Sequence, residues 1–295
     1  MAKLPLHAIL KGGLGNQLFI FANSLAYARV HKRKLVLNSV WYDTDQLKNL
    51  EMNGFRNPDL FKFPLIERNY KFDKLITNKL VYILFIIAQK FGDKLTGNIC
   101  LNADDPFSRN KIKHGVVIYG DMINSQNLNQ VRTELRELLV LNQSQELFIK
   151  SYLEKFRKST SRLVALHVRR GDRITTNTLY NVLSKEYYLK CISDLFADDH
   201  IVLVFSDDIA WCKENFESSN MYFFETPDPV VNFRAMMLCD DFVLSTSTFG
   251  WWAAWLANSR ERKVVIPKPY VQDDPTGWES LIQKEWIQRE ASWIK

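Results

Sequence analysis

Short apolar runs alternate with helical segments along the second half of the chain, and this alternation constrains the fold more than any other feature. Strands are predicted at Leu163–Val168, Ile201–Phe205, Met221–Phe224, Phe242–Leu244 and Lys263–Ile266. Helical periodicity fills the intervals, over Lys185–Phe196, Ile209–Phe216, Val230–Cys239 and Phe249–Ala257. Strands that alternate with helices are typical of a parallel sheet covered by helices. The second half is therefore predicted to form an α/β domain.

The first half begins with the same kind of unit. An apolar run at Leu6–Leu10 precedes a glycine-rich turn, Lys11–Gln17, which leads into helical periodicity over Leu18–Val30 and a second strand at Lys34–Asn38. The order strand, turn, helix, strand predicts a βαβ unit whose turn lies at the carboxyl end of a strand, where open α/β sheets bind ligands. The pattern from Trp41 to Arg109 is irregular and predicts an insertion.

The chain of 295 residues is long enough for two domains that each bury a core. We place the boundary in the polar stretch Lys155–Ser161, which gives an N-terminal domain of residues 1–157 and a C-terminal domain of residues 158–295. The aromatic, amphipathic segment Trp278–Trp293 is expected to form a closing helix that packs back on the first domain.

Cysteine usage and apolar runs bear on the compartment. The four cysteines have no metal-ligand spacing, which favours a reducing compartment without disulfides. The first residues lack the apolar core of a signal peptide, and the longest apolar run, Leu80–Ala88, is far shorter than the ~20 residues of a membrane-spanning helix. Lysines flank that run, so a basic helix on an anionic membrane surface is an alternative to a buried helix. We expect a cytoplasmic protein, with peripheral contact to the inner membrane face as the alternative.

The net charge of +6 suits an anionic partner, either a nucleotide phosphate or a polyanionic surface. Zinc-finger spacing, RNA-binding aromatic signatures and dense basic runs are missing from the sequence, so nucleic acid is not expected as a partner.

The string His167-Val168-Arg169-Arg170-Gly171-Asp172 follows a predicted buried strand directly. Paired guanidiniums at such a position suit a pyrophosphate, because they bind phosphate oxygens and neutralise the charge of a departing diphosphate. Asp172 is expected to orient an arginine or to contact the sugar. The alternative interpretation is a surface ion-pair network.

A second cluster, Ser245-Thr246-Ser247-Thr248-Phe249-Gly250, joins a predicted strand to an apolar helix. Unpaired N–H groups in the first turn of a helix, together with hydroxyl groups, can bind phosphate. Simple helix capping by Ser247 or Thr248 is the alternative. Three tryptophans that follow at helical spacing are interpreted as core residues.

The glycine turn near the N-terminus offers backbone access and the side-chain amides of Asn16 and Gln17 for hydrogen bonds to hydroxyl groups. Serine-nucleophile elbows, Walker loops and paired-histidine metal motifs do not occur in the sequence, and one Asp-x-Asp triplet occurs, Asp43-Thr44-Asp45. The paired arginines Arg169 and Arg170 can supply the positive charge that a bridging metal ion supplies elsewhere, so no metal is expected.

In order and spacing, these three motifs resemble the α-1,2-fucosyltransferase family, glycosyltransferase family 11. The segments Leu183–Tyr188 and Phe205–Asp208 also resemble family members. The resemblance implies a GT-B arrangement of two Rossmann-type domains that face a cleft. It also implies inverting, metal-independent transfer of L-fucose from GDP-fucose to the 2-hydroxyl of a galactose-containing glycan, either an oligosaccharide or a lipid-linked unit.

Roles for individual residues follow from the resemblance. Arg169 and Asp172 are the implied catalytic residues, with Arg169 on the β-phosphate and His167 near the nucleoside. The remaining implied donor-binding residues are Asn16, Gln17, Arg170, Asp207, Asn232, Ser247, Thr248 and Phe249.

Two positions depart from the family pattern: Asn232 stands where relatives generally have Asp, and Asp241 where they usually have His. An amide at position 232 both donates and accepts hydrogen bonds, so guanine preference is open. Two alternatives to a GDP-fucose transferase follow: a transferase of the same fold with another nucleotide sugar, and a non-catalytic sugar- or nucleotide-binding protein. The intact arginines argue against the second.

Overall fold

The computed structural model describes residues 4–43, 58–73, 100–102, 117–160, 162–175, 182–196, 200–258, 261–272 and 278–294. The chain divides into two compact units, Met1–Val140 and Leu141–Lys295. The division falls before the helix Gln143–Arg157, which the sequence analysis assigned to the first domain. That helix packs on the helix Pro229–Met237 of the second unit, so its contacts rather than the polar stretch after it mark the division.

The first unit is a five-stranded parallel sheet with helices against it. Its strands are β1 (Leu6–Ile9), β2 (Leu35–Asn38), β3 (Lys71–Asp73), β4 (Cys100–Asn102) and β5 (Val117–Tyr119), in the order β3-β2-β1-β5-β4. The α-helices among its described residues are α1 (Leu14–Val30), α2 (Pro64–Asn69) and α3 (Arg132–Leu138). Helix α1 is buried along almost its whole length, which explains why apolar residues occur on all of its faces, with Gln17, Asn23 and Ser24 buried among them.

The second unit contains a six-stranded parallel sheet, as the alternation predicts. Its strands are β6 (Leu163–Val168), β7 (Ile201–Ser206), β8 (Met221–Phe223), β9 (Asp241–Val243), β10 (Val264–Lys268) and β11 (Ile287–Glu290). Its helices are α4 (Gln143–Arg157), α5 (Gly171–Thr175), α6 (Lys185–Leu195), α7 (Ile209–Asn215), α8 (Pro229–Met237) and α9 (Thr248–Leu256). The central strands are buried on both faces because helices cover them.

The strand order β11-β10-β9-β6-β7-β8 places a topological switch point in this sheet. From β6 the chain proceeds through β7 to β8 on one side, and from β9 it proceeds through β10 to β11 on the other. Strands β6 and β9 are hydrogen-bonded neighbours, with Leu166 opposite Val243. Ligands of open α/β sheets bind outside the carboxyl ends of strands at such a point.

Aromatic side chains of α9 lie in the core of the second unit. Trp251 and Trp252 are fully buried and Trp255 almost so, which confirms their interpretation as core residues. The indole N–H of Trp251 donates to the carbonyl of Leu281 at 2.7 Å. Cysteines at 191, 212 and 239 are likewise buried as free thiols, and burial raises the pKa of Cys191 to about 11.

The expected closing helix over residues 278–293 is wrong. This segment contains a short 3₁₀ helix, Glu279–Leu281, and then strand β11, which pairs in parallel with β10. Edge pairing satisfies the backbone of the segment, and exposure alternates residue by residue along β11, as on a half-buried strand. Ile287 and Trp293 pack against the core of the second unit, so the segment completes that unit's own sheet.

Two sequence predictions concern membranes. The apolar run at residues 80–88, interpreted from the sequence as a buried helix or as a basic helix on a membrane surface, lies outside the described residues. Among the helices that are described, not one has the length and apolar character needed to cross a bilayer.

Candidate functional site

The β6 turn, defined here as residues 167–173, brings two carboxylates onto one arginine. Arg169 forms ion pairs with Asp172 and with Asp207, which follows the end of β7. The Asp207 carboxylate also accepts a hydrogen bond from the backbone N–H of Arg170 at 2.9 Å. The ion-pair network that the sequence left as an alternative is therefore present. It holds a guanidinium, about a quarter exposed, at the carboxyl end of β6.

Arg170 is held differently from its neighbour. Its guanidinium lies 3.7 Å over the ring of Trp211, and its Nε donates to Asp208 at 3.2 Å. The residue is 8% exposed. Stacking on an indole and pairing with a carboxylate anchor the β6 turn to the start of α7. The structure therefore gives Arg170 a clear packing role beside the predicted phosphate arginine.

Gly171 is where the β6 turn passes closest to Asp207. A Cβ atom built at this position would overlap the Asp207 carboxylate and come within 3.1 Å of an Arg169 guanidinium nitrogen. Glycine is required here by close approach, and the space it leaves lets Asp207 reach both arginines.

The β9 turn, defined as residues 244–247, leads into α9. Ser247 caps this helix, accepting a hydrogen bond from the N–H of Phe249 at 3.3 Å. The N–H of Ser245 donates to the carbonyl of His167 at 3.1 Å, which joins the β9 turn to the β6 turn. The first turn of α9 therefore begins beside the β6 turn. Ser247 caps the helix, and the same turn also lies next to the part of the chain that carries the arginines.

His167 packs against the start of α9. Its ring stacks on Phe249 with centroids 5.7 Å apart, and its Nδ1 lies 2.9 Å from the Ser245 hydroxyl. Burial, with Arg169 and Arg173 nearby, lowers the pKa of His167 to about 3. The imidazole is therefore neutral at physiological pH, and the positive charge of the site resides on the arginines.

Arg173 is a site residue that the sequence analysis missed. It lies on α5, and its two terminal nitrogens donate to the Thr246 hydroxyl at 2.6 Å and to the Thr246 carbonyl at 2.5 Å. The sequence signal was a third arginine immediately after the Arg-Arg-x-Asp string. Only the fold shows that it reaches across the switch point to the β9 turn.

Asn232 lies on α8, one residue before Phe233, which contacts Phe249 edge-on at 5.4 Å. Its Oδ1 accepts from the Thr226 hydroxyl, and its Nδ2 donates to the Thr226 carbonyl, both at 3.0 Å. The amide therefore fastens the loop before α8 to the helix.

Asp241, the other departure from the family pattern, lies at the amino end of β9. The switch-point residues lie at the carboxyl ends of the strands. The two carboxylate oxygens of Asp241 accept from Arg162 at 2.7 and 2.8 Å. A carboxylate rather than an imidazole at this position is explained by that bidentate pair, which is remote from the switch point.

Asn16 and Gln17 belong to the first unit. Gln17 is fully buried, donates to the Gly12 carbonyl at 3.0 Å and accepts from the N–H of Leu60 at 2.9 Å. Gly12 has a φ of +71° and lies against Asn16, so glycine is needed there. Gln17 thus maintains the glycine turn, whereas Asn16 is partly exposed on it.

The second unit therefore collects arginines, hydroxyls and a helix N-terminus at one switch point. Such groups bind a diphosphate and stabilise its negative charge when it departs. The described parts of the chain contain no cluster of three or more metal-ligating His, Cys, Asp or Glu side chains.

Glycosyltransferases that have been described before match from about half to nearly all of the chain. O-antigen biosynthesis glycosyltransferase WbnK from Escherichia coli is 25% identical over 96% of this chain and 99% of its own length. An alpha-1,2-colitosyltransferase from the same organism is 26% identical over 96% of this chain and 98% of its own. Galactoside alpha-(1,2)-fucosyltransferase 2 from Sus scrofa is 32% identical over 55% of this chain and 52% of its own.

A solved structure, fucosyltransferase NodZ from Bradyrhizobium, superposes with a TM-score of 0.55 at 13% identity, covering 87% of this chain and 94% of that one. This likeness concerns the fold, an α/β fold of the GT-B type. The sequence profile of glycosyl transferase family 11 matches residues 119–290, which include the β6 turn, the β9 turn and the start of α9. On this match, over more than half of its length, the chain belongs to glycosyl transferase family 11.

Proposed function

We propose that this chain transfers L-fucose from GDP-fucose to the 2-hydroxyl of a galactose-containing glycan, with inversion and without a metal ion. One observation carries the proposal: the β6 turn, which bears Arg169, and the β9 turn, which leads into α9, are joined at the switch point of a family 11 glycosyltransferase. The α-1,2 linkage is supported by the names of the colitosyl- and fucosyltransferase relatives. A glycan acceptor is supported by the O-antigen relative.

In the proposed reaction the oxygen of the acceptor hydroxyl attacks the anomeric carbon of fucose while the bond from that carbon to the diphosphate breaks; GDP leaves, and the hydroxyl proton passes to solvent. Arg169 holds the β-phosphate and stabilises the charge that accumulates on the leaving group. Asp172 and Asp207, both paired with Arg169, fix the direction of its guanidinium. Ser247, Thr248 and the first N–H groups of α9 bind phosphate oxygens.

The nucleoside side of the proposed site is apolar. His167 and Phe249 present stacked rings at the end of β6, and the neutral imidazole adds no charge beside the base. Arg170, stacked on Trp211, supports the β6 turn from behind. In the first unit, Asn16 is proposed to bind donor hydroxyls, while Gln17 keeps the glycine turn in shape.

The direct test is turnover. The chain is incubated in EDTA with GDP-L-fucose and a panel of galactose-terminated oligosaccharides and lipid-linked glycans, and products are identified by mass spectrometry and NMR. An α-1,2-fucosylated product is expected. Arg169→Ala should retain the melting temperature within a few degrees and lose about 100-fold or more in kcat. Undiminished turnover in this variant would remove Arg169 from the mechanism, and GDP binding without any product would favour a non-catalytic binding protein.

A second candidate is a transferase of the same fold that uses another nucleotide sugar. It is supported by the colitosyltransferase relative and by Asn232, whose amide is engaged with Thr226 where family members generally have a carboxylate. Thermal protection by GDP, UDP, ADP and dTDP distinguishes the candidates, because a ligand that binds only the folded state raises its stability. Selective protection by GDP retains a guanine donor, and the sugar is then decided by turnover with GDP-linked sugars. Stronger protection by another diphosphate makes the second candidate the better one.

A further inference from the structure

Arg173 joins the two turns that meet at the switch point. It lies on α5, after β6, and both of its terminal nitrogens donate to Thr246 in the β9 turn. Thr246 is 4% exposed, so the hydrogen-bonded pair is shielded from water on the threonine side. A guanidinium that donates twice to one residue fixes both the direction and the distance of that residue.

The carbonyl that Arg173 binds belongs to the peptide between Thr246 and Ser247. The N–H of that same peptide donates to the Ser245 carbonyl at 2.9 Å. Both polar groups of one peptide are therefore held, and the peptide leads directly into Ser247, the residue that caps α9. The orientation of this peptide sets where the Ser247 hydroxyl and the first N–H groups of the helix point.

Other contacts hold the β9 turn but not this peptide carbonyl. Tyr187 donates to the Leu244 carbonyl at 3.3 Å, and Tyr270 donates to the Ser247 carbonyl at 3.5 Å. Both tyrosine contacts are longer than those of Arg173, and both tyrosines are neutral donors. The charged and shorter contacts are the ones that join the β9 turn to the helix after β6.

We propose that Arg173 is a positioning residue for the diphosphate: it holds the Thr246–Ser247 peptide so that the start of α9 is preset to bind phosphate. This inference rests on the proposed function and concerns how the site is maintained. The effect of Arg173 on the ligand is exerted through its two contacts with Thr246. A lysine at this position can make one of the two contacts and should recover only part of the effect.

The test measures the Kd of GDP by titration calorimetry in EDTA for the whole chain and its variants. Arg173→Gln is expected to bind GDP about 10- to 100-fold more weakly, and Arg173→Lys to recover part of that loss. Arg157→Gln is the matched control, because Arg157, like Arg173, donates from both terminal nitrogens: one to the Asp240 carboxylate and one to the Leu238 carbonyl, both at 3.0 Å. The control should keep the wild-type Kd.

Thr246→Val provides a second route to the same contact, since it removes the hydroxyl acceptor and little volume. It should weaken GDP binding about fivefold, and the double variant with Arg173→Gln should be no weaker than Arg173→Gln alone, because coupled residues are not additive. A wild-type Kd in Arg173→Gln, or additive losses in the double variant, would overturn a positioning role through Thr246. If Arg173→Gln does not fold, a wild-type Kd in Thr246→Val overturns it. Failure of the unaltered chain to bind GDP would instead contradict the proposed function.

Discussion

Gly250 and His167 illustrate at the residue scale how closely α9 approaches the end of β6. A Cβ atom added at Gly250 would lie 2.7 Å from Nδ1 of His167. The ring cannot retreat easily, because it is buried and stacked on Phe249. The tight contact is part of what joins the two halves of the candidate site.

Gly250→Ala should lower the free energy of unfolding by about 1–3 kcal/mol, since an added methyl group overpacks a closed contact. Gly13→Ala is the matched control, because nothing lies within 4 Å of a Cβ built there. It should cost less than about 1 kcal/mol. Urea denaturation measures both. Equal stability losses in the two variants would show that the contact with His167 is not the cause.

The depressed pKa of His167 makes a prediction about pH. Its folded-state pKa, about 3, lies below the ordinary value near 6.5, so the unfolded chain binds a proton that the folded chain does not. Stability is then full above pH 6.5 and falls as the pH drops toward 3. Between pH 7 and pH 5 this group should remove about 2 kcal/mol.

Urea denaturation at pH 7, 6 and 5 checks this slope for the unaltered chain and for His167→Gln. The variant is less stable at every pH but should show a flatter dependence, because it lacks the titrating imidazole. Parallel dependences in the two proteins would mean that His167 does not supply the slope.

Residue roles were only partly readable in the sequence. The motifs that contain His167, Arg169 and Ser247 lie at the ends of strands, as predicted, and the fold shows that these two strands are neighbours at the switch point. Arg173 was missed because its partner, Thr246, is 73 positions away along the chain and adjacent only in the folded sheet. The contact of Asn232 with Thr226 could not be predicted for a related reason. The sequence does not show whether a side-chain amide binds its own loop or a ligand.

At the scale of elements, periodicity predicted most of the second unit. The bounds of β6 agree with the predicted strand at both ends, because its continuous apolar run is buried on both faces. The C-terminal segment did not follow its apparent amphipathic pattern, because the open edge of β10 offered hydrogen-bond partners that a helix there would leave unused. Pairing with a distant strand is a tertiary effect that local spacing does not encode.

The pair of Arg162 and Asp241 is predicted to stabilise the amino end of the β6–β9 ladder. Asp241 is 1% exposed and also accepts from the N–H of Lys263 at 2.7 Å. Asp241→Asn should lower the free energy of unfolding by about 1–3 kcal/mol, because the partly buried Arg162 loses its buried charged partner. GDP binding by the folded variant should be unchanged, since the pair is remote from the switch point.

The exposed pair of Lys213 and Glu225 offers a control for this substitution. Glu225→Gln should change the free energy of unfolding by about 0–1 kcal/mol. Comparable losses from the buried and the exposed pair, measured by the same urea denaturation, would contradict the structural role given to Asp241.

At the scale of the whole molecule, each unit has its own sheet and its own buried side chains. A unit that buries its own core is expected to fold alone. Residues 141–295, expressed as a separate protein that begins before α4, should unfold cooperatively and have a radius of gyration of about 15 Å by small-angle scattering. A fragment that begins at residue 158 should be less stable, because it lacks the helix that packs on α8. Non-cooperative melting of the longer fragment would contradict the division at residue 140.

The proposed function requires the switch point of the second unit to bind the diphosphate of a guanine nucleotide. Titration calorimetry of the whole chain with GDP and with UDP, both in EDTA, measures this binding. We expect one GDP per chain, with UDP at least about tenfold weaker, and a loss of about 1.5–3 kcal/mol of GDP binding free energy in Arg169→Ala. No binding of GDP, equal binding of the two nucleotides, or full affinity in Arg169→Ala would contradict the account.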